Sequence, residues 1–388
     1  MVFPKLVGKI LNLRDLEQGL EQLNRLATVK YTLEIQPGIR QGYSHVVIHE
    51  QASKIPISLR LNLDNSGTNE TGAEQFSGTL LGDSLVGLGE QWTLSANTDI
   101  DMRSSHYSRH FGVSLNFPYG YWSYRYQFFH QQSSQLFTAN HNKYPYKSKN
   151  IHQQFDASYL LYRDTYQRIT LHGGLKHKRV QTQLAGQALT ISSPTLASIF
   201  FSPQYSTVIN QGYFTLNPSI EWGTSAFGAV PDLIAEKSPR SHYRKLNLSS
   251  SYQYPIKNDL NYLTSFYSQY TPDNLYAIER LNIGGQHSIR GYQDQSINGN
   301  SGFYWRNEIN KQINHKFGAL NLILALDYGY IIPDKYEIEG GTLTGGAMGI
   351  SYTNNALSAS LLISKPFYYS AEINPSKWSL YWSISFDL

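Results

Sequence analysis

Three charged residues of this chain are spaced so that they can act together: Arg290, within the segment RLNIGGQHSIRGYQD from Arg280 to Asp294, and the carboxylates Glu308 and Asp327 that follow it. Gly284, Gly285 and Gly291 allow a tight backbone path around that arginine. A guanidinium held in a water-filled interior needs acceptors, and its planar fork suits carboxylates better than a lysine ammonium would. The pattern predicts a loop that folds inward and is latched by Arg290, Gly291 and Tyr292 against Glu308 and Asp327. A surface turn with a solvated arginine is the alternative that the tripeptide alone leaves open.

The runs that must position these residues read as strands. From Gly302 to Lys311, Tyr304, Arg306, Glu308 and Asn310 alternate with Trp305, Asn307 and Ile309. In the next run Leu320, Leu322, Leu324 and Leu326 take one face and send Asp327 to the other. Similar alternation begins at Ile55 and returns roughly every 20 residues to Leu388, about sixteen times. The connections alternate in length, with short turns such as Pro118-Tyr119-Gly120 and Thr353-Asn354-Asn355. Long polar stretches include His130 to Asn150, Ala226 to Ser241, Thr271 to Ser301 and Tyr330 to Thr344. That asymmetry is the habit of outer-membrane barrels, with Trp92, Trp122, Trp222 and Trp305 near run ends as interfacial girdles. The expected fold is therefore all-β: a 16-stranded antiparallel transmembrane β-barrel over residues 55–388, with its sixth extracellular loop, 271–301, turned into the lumen. A soluble propeller is the rival, but no motif recurs at a fixed period.

Composition agrees with a barrel. The 388 residues are 40% hydrophobic and 14% aromatic, with 30 tyrosines, and no run approaches the roughly 18 apolar residues of a membrane helix. A membrane protein of this kind must close its sheet, because lipid satisfies no backbone group. Cysteine is absent, which removes disulfides and thiol chemistry, and a net charge of +4 without a basic run gives no nucleic-acid arm. Twelve scattered histidines form no zinc motif, and neither a phosphate loop nor a nucleophile elbow is present. No enzyme activity, cofactor or metal is expected. Gly340-Gly341 and Gly345-Gly346 read as turn residues.

Residues 9 to 27 place Leu13, Leu16, Leu20 and Leu23 at helical spacing behind Asn12, a capping residue. Two alternating runs follow, Tyr31 to Ile35 and Ser44 to His49, around Gln36-Pro37-Gly38. So small a unit buries little core, and residues 1–54 read as the end of an α+β domain whose beginning is missing. Met1 is followed by no leader-like segment, as in a mature or truncated fragment.

With these motifs in hand, the chain resembles the transporters of two-partner secretion, the TpsB family of the outer-membrane barrel/POTRA superfamily. Leu11 to Arg25 looks like the end of a POTRA domain, Gln36-Pro37-Gly38 with Gly42-Tyr43-Ser44 like its hairpin, and LVGLGE from Leu85 to Glu90 like the first periplasmic turn. Asp64-Asn65-Ser66-Gly67 with Thr71-Gly72 resembles the first strand and loop, and SIRGY from Ser288 to Tyr292 the signature of the inward sixth loop. The resemblance implies that Glu308 and Asp327 receive Arg290. It further implies a monomer in the bacterial outer membrane, among lipid and lipopolysaccharide, with its N-terminal domain in the periplasm. Its expected partner is one large TpsA-type exoprotein, an adhesin, cytolysin or contact-dependent inhibition toxin, exported without ATP. The chain departs from the family in lacking a plug helix and a first POTRA domain and in ending on Asp387-Leu388 instead of an aromatic. A superfamily insertase and a passive porin are the alternatives.

Overall fold

The computed structural model describes all residues except 1, 5, 53–54, 104, 140, 337 and 371–372. Near the N-terminus, Leu13–Asn24 forms the α-helix, and Asn12 caps it by accepting the Arg14 amide at 3.0 Å. Leu16 and Leu23 are buried, whereas Leu13, placed by its spacing on the apolar face, is exposed. Val29–Pro37 and Ser44–Ala52 pair as an antiparallel hairpin. The boundary expected between 54 and 55 adjoins residues 53–54, outside the described ones, and the next ladder begins at Ile57.

Sixteen antiparallel strands then close on themselves, numbered here in chain order, with a two-residue strand, Gln187–Ala188, folded back on the seventh. The closed sheet excludes the propeller. Strand 1 (Ile57–Asp64) meets strand 16 (Ser379–Asp387) through five residue pairs, Ser383 with Asp64 through Asp387 with Arg60. Strand 5 (Trp122–Ala139) pairs along its whole length with strand 6 (Asn142–Arg163), from Trp122 with Tyr159 to Ala139 with Asn142. The seam between first and last strands is thus a short ladder.

Alternation decides which side chains face lipid. Leu324 and Leu326 of strand 13 (Gly318–Ile331) are 58% and 54% exposed, whereas Asp327, one residue on, is fully buried. Met348, Trp305 and Phe386 are similarly exposed on their strands. Such an outer surface would be an aggregation hazard in water and is the apolar band a barrel presents to hydrocarbon.

Two expected loops are corrected. His130 to Asn150 is a ladder up to the pair Ala139 and Asn142, in place of a long polar connection. Above the membrane both faces of a ribbon meet water, so His130 and Gln132 can take the outward positions and the apolar alternation disappears. Likewise strand 13 continues to Ile331 and strand 14 begins at Gly341, which shortens the connection read from Tyr330 to Thr344.

The helix rests against the turns at one barrel mouth. Asp83, ending strand 2 (Gln75–Asp83), accepts the amides of Ala27 and Thr28 at 2.8 and 2.9 Å, and Arg25 donates to the Gly89 carbonyl at 2.7 Å. Tyr121 donates to Asp15 at 2.7 Å, and Glu21 pairs with Arg163 and Arg168. Burial, then the bond to Asp15, pushes the Tyr121 phenol up to about 12, so it remains a donor at any physiological pH.

A lipid-face test follows. Leu324→Arg, near the middle of strand 13, is expected to destabilise the barrel by about 2–4 kcal/mol in vesicles. Ser351→Arg, on the luminal face of the neighbouring strand, should change the urea midpoint far less.

Candidate functional site

Loop six, between strand 11 (Leu260–Tyr270) and strand 12 (Gly302–His315), is itself a small hairpin. Leu281–Ile283 pairs antiparallel with Ile297–Gly299, which leaves residues 284–296 as its tip. Gly284 and Gly285 turn the chain with φ of +126° and +97°, and Ser288 ties the turn by accepting the Gly284 amide at 2.8 Å. Ile283, Ile289 and Tyr292 then form an apolar cluster with Ile331 of strand 13 and Leu343 of strand 14 (Gly341–Thr353). The loop brings its own core into a polar lumen.

The tip places Arg290 between both carboxylates. Its Nε and Nη2 donate to Oδ2 and Oδ1 of Asp327, each at 2.6 Å, while Nη1 donates to Glu308 Oε2 at 2.6 Å. The Arg290 amide adds a fourth bond, to Asp327 Oδ2 at 3.1 Å. Side-chain exposure is 3% for Arg290, zero for Asp327 and 22% for Glu308. Burial alone would lower the guanidinium pKa, but the two carboxylates outweigh it and hold it above its ordinary value. The geometry is the two-point fork that a lysine could not reproduce.

Gly291 and Tyr292 meet a break in the opposite ladder. Pairing between strand 14 and strand 15 (Leu357–Tyr369) shifts register at Thr344 and Gly345, opposite Pro366, a residue with no amide to donate. At that bulge the carbonyls of Thr344 and Tyr368 lie 2.8 and 2.7 Å from the Tyr292 hydroxyl, which shares its proton between them. Burial pushes that phenol up to about 12. Gly291 has φ of +105°, and a Cβ there would stand 2.7 Å from Lys365 C and Pro366 N. Gly345, read from sequence as a turn residue, sits within strand 14, where a Cβ would meet the Arg290 carbonyl at 1.9 Å. Its glycine lets the loop backbone lie against the wall.

The structure therefore brings all five sequence-derived site residues into one cluster. It adds groups that the sequence reading did not single out. Arg306 donates to the carbonyls of His287 and Gln286 at 3.1 and 3.2 Å, gripping the tip from strand 12. Asp294 accepts the Asn69 side-chain amide at 2.6 Å, Gln293 donates to the Asn65 carbonyl at 3.2 Å, and Ser379 donates to the Gly291 carbonyl at 3.2 Å. Asn65 in turn bridges to strand 16, donating to the Leu380 carbonyl at 2.6 Å and accepting the Trp382 amide at 2.8 Å. The tip thus also touches strand 16 and the segment that follows strand 1, on either side of the short seam. The signal for these contacts was weak, because single amides and hydroxyls carry no motif.

Comparison with known proteins gives the family of the chain. The model of the haemolysin secretion/activation proteins ShlB/FhaC/HecB matches residues 42–352, and that of the POTRA domain matches residues 1–37. The chain belongs to the ShlB/FhaC/HecB family. It is 34% identical over 391 aligned residues to the outer membrane transporter CdiB of Escherichia coli, covering 99% of this chain and 66% of that protein. To the haemolysin transporter protein ShlB of Serratia marcescens it is 28% identical, covering 97% of this chain and 68% of the other. The solved structure of CdiB from Escherichia coli superposes with a TM-score of 0.95 at 33% identity, over all of this chain and 73% of that one. The chain thus spans about two thirds of the length of these relatives, as an outer-membrane barrel of the two-partner secretion family carrying POTRA sequence at its N-terminus.

The cluster's energetics can be tested directly. Arg290→Ala leaves Asp327 buried without its fork and is expected to cost about 3–5 kcal/mol of local stability, since a buried pair is hurt most by losing one partner. Arg290→Lys should fall between the two. Gly291→Ala should resemble Arg290→Ala, because the backbone cannot hold its path. Limited proteolysis of loop six in the reconstituted barrel reads all three.

Proposed function

We propose that the full-length protein exports a large partner exoprotein of the TpsA type, an adhesin, cytolysin or contact-dependent inhibition toxin, through this barrel without ATP. The observation that carries this reading is the hairpin of loop six, held in the lumen by Arg290 between Asp327 and Glu308. A plug that can be unfastened suits a path opened for one cargo.

In this reading Arg290, Gly291, Tyr292, Glu308 and Asp327 form the loop latch, residues 1–54 are the C-terminal part of a POTRA domain, and residues 55–388 are the transporting barrel. The hairpin of Val29–Pro37 and Ser44–Ala52 belongs to a two-stranded sheet, so strand edges stand ready for an extended partner to pair. Barrel lipids and lipopolysaccharide surround a monomer, and transport is its task rather than catalysis. Folding of the partner outside the cell biases the movement outward.

The experiment uses cells carrying the full-length parent and its cognate large exoprotein. Arg290→Ala is expected to reduce the secreted partner severalfold while the barrel still inserts and still shows the heat-dependent gel shift of a folded barrel. Undiminished secretion by that variant would remove the functional latch. Absence of partner outside the cell even with the intact parent would remove the transporter reading itself.

A further inference from the structure

Loop six carries a second charged contact on the N-terminal side of Arg290, at its base. The short 3-10 helix Ala277–Glu279 lies at its base, and the Glu279 carboxylate is 2% exposed. It is met by Lys178 of strand 7 (Gln167–Leu184) at 2.6 Å and by Lys245 of strand 10 (Arg244–Lys257) at 2.6 Å. Lys245 also faces Glu221 of strand 9 (Gly212–Thr224) at 3.8 Å, and Glu221 binds Lys176 at 2.7 Å and accepts from Ser198 and Tyr243, each at 2.7 Å. Three lysines therefore stand against two carboxylates, one of which the loop supplies.

The polarity is the reverse of that at the tip. There the loop offers a cation to carboxylates on strands 12 and 13; here it offers a carboxylate to cations on strands 7 and 10. We propose that Glu279 is a positioning residue, the second anchor of loop six, through which Lys178 and Lys245 hold the base while the tip is released. The inference rests on the transporter reading above and adds to it how the plug moves: the loop pivots about its base. Neutral bonds support the same point, since Gln269 donates to the carbonyls of Glu279 and Asn300 at 3.1 and 3.0 Å. A buried ion pair fixes geometry strongly because neither charge can be left alone in a poorly solvated place. Withdrawing Glu279 would leave two uncompensated positive charges on the lumen wall.

The test uses the barrel in lipid bilayers and trypsin, which enters no closed lumen and cuts after an arginine only when its loop swings out. Glu279→Gln should speed cleavage after Arg280 severalfold while Arg290 stays protected, and should shift ion selectivity towards anions. The swap Glu279→Lys with Lys178→Glu should restore protection. Asp327→Asn should do the opposite, exposing Arg290 and leaving Arg280 protected. Where Glu279→Gln does not assemble, Lys178→Gln, at the more exposed partner, should likewise speed cleavage after Arg280, with the selectivity shifted towards cations instead. Unchanged protection of Arg280 with unchanged selectivity in a folded variant overturns the second anchor, as does equal exposure of both arginines in Asp327→Asn. Protection of Arg290 in Asp327→Asn would instead count against the tip latch and leave the base anchor standing.

Discussion

A guanidinium and a carboxylate that have both been taken out of water can persist only while each satisfies the other. Asp327 is fully buried and accepts three bonds from Arg290, so the wall of strand 13 and the tip of loop six depend on one interaction. Such a pair adds modest net stability against an apolar replacement, yet breaking it is expensive. That combination suits a fastener: little is gained by making it tighter, and much is lost by opening it at the wrong time. The bulge opposite Pro366 and the glycines at 291 and 345 all serve to bring the loop backbone close enough for the fork to reach.

The barrel imposes the complementary constraint. Its outer face is largely apolar, and the charges gathered around Asp327 and Glu279 are directed inward, where they are paired. Within the lumen this produces two charged clusters joined by one loop. One lies on strands 12 and 13, and the other on strands 7, 9 and 10. The tip also contacts Asn65, Asn69 and Ser379, beside the seam where strands 1 and 16 share only a short ladder. The tip that carries Arg290 thus also lies beside the seam.

Much of this was legible in the sequence because period-two alternation and loop chemistry are local signals. The leucines at 322, 324 and 326 fix the side on which Asp327 falls, and the glycines around Arg290 mark a turn that needs them. The ribbon from His130 to Asn150 was not legible, since above the lipid neither face has to be apolar. Glu279 escaped notice for a different reason. Its partners, Lys178 and Lys245, lie some distance back along the chain, and only closure of the sheet brings them together. Leu13 shows the converse error, helical spacing without anything to pack against.

The most direct test of a fastened plug is the conductance of the purified barrel in planar bilayers, compared between the parent and Asp327→Asn, which keeps the shape of the acceptor and removes its charge. The account predicts small, intermittent currents for the parent and larger, sustained ones for the variant. Equal and steady currents from both would contradict it, because the lumen would then be an open pore that Arg290 does not help to close.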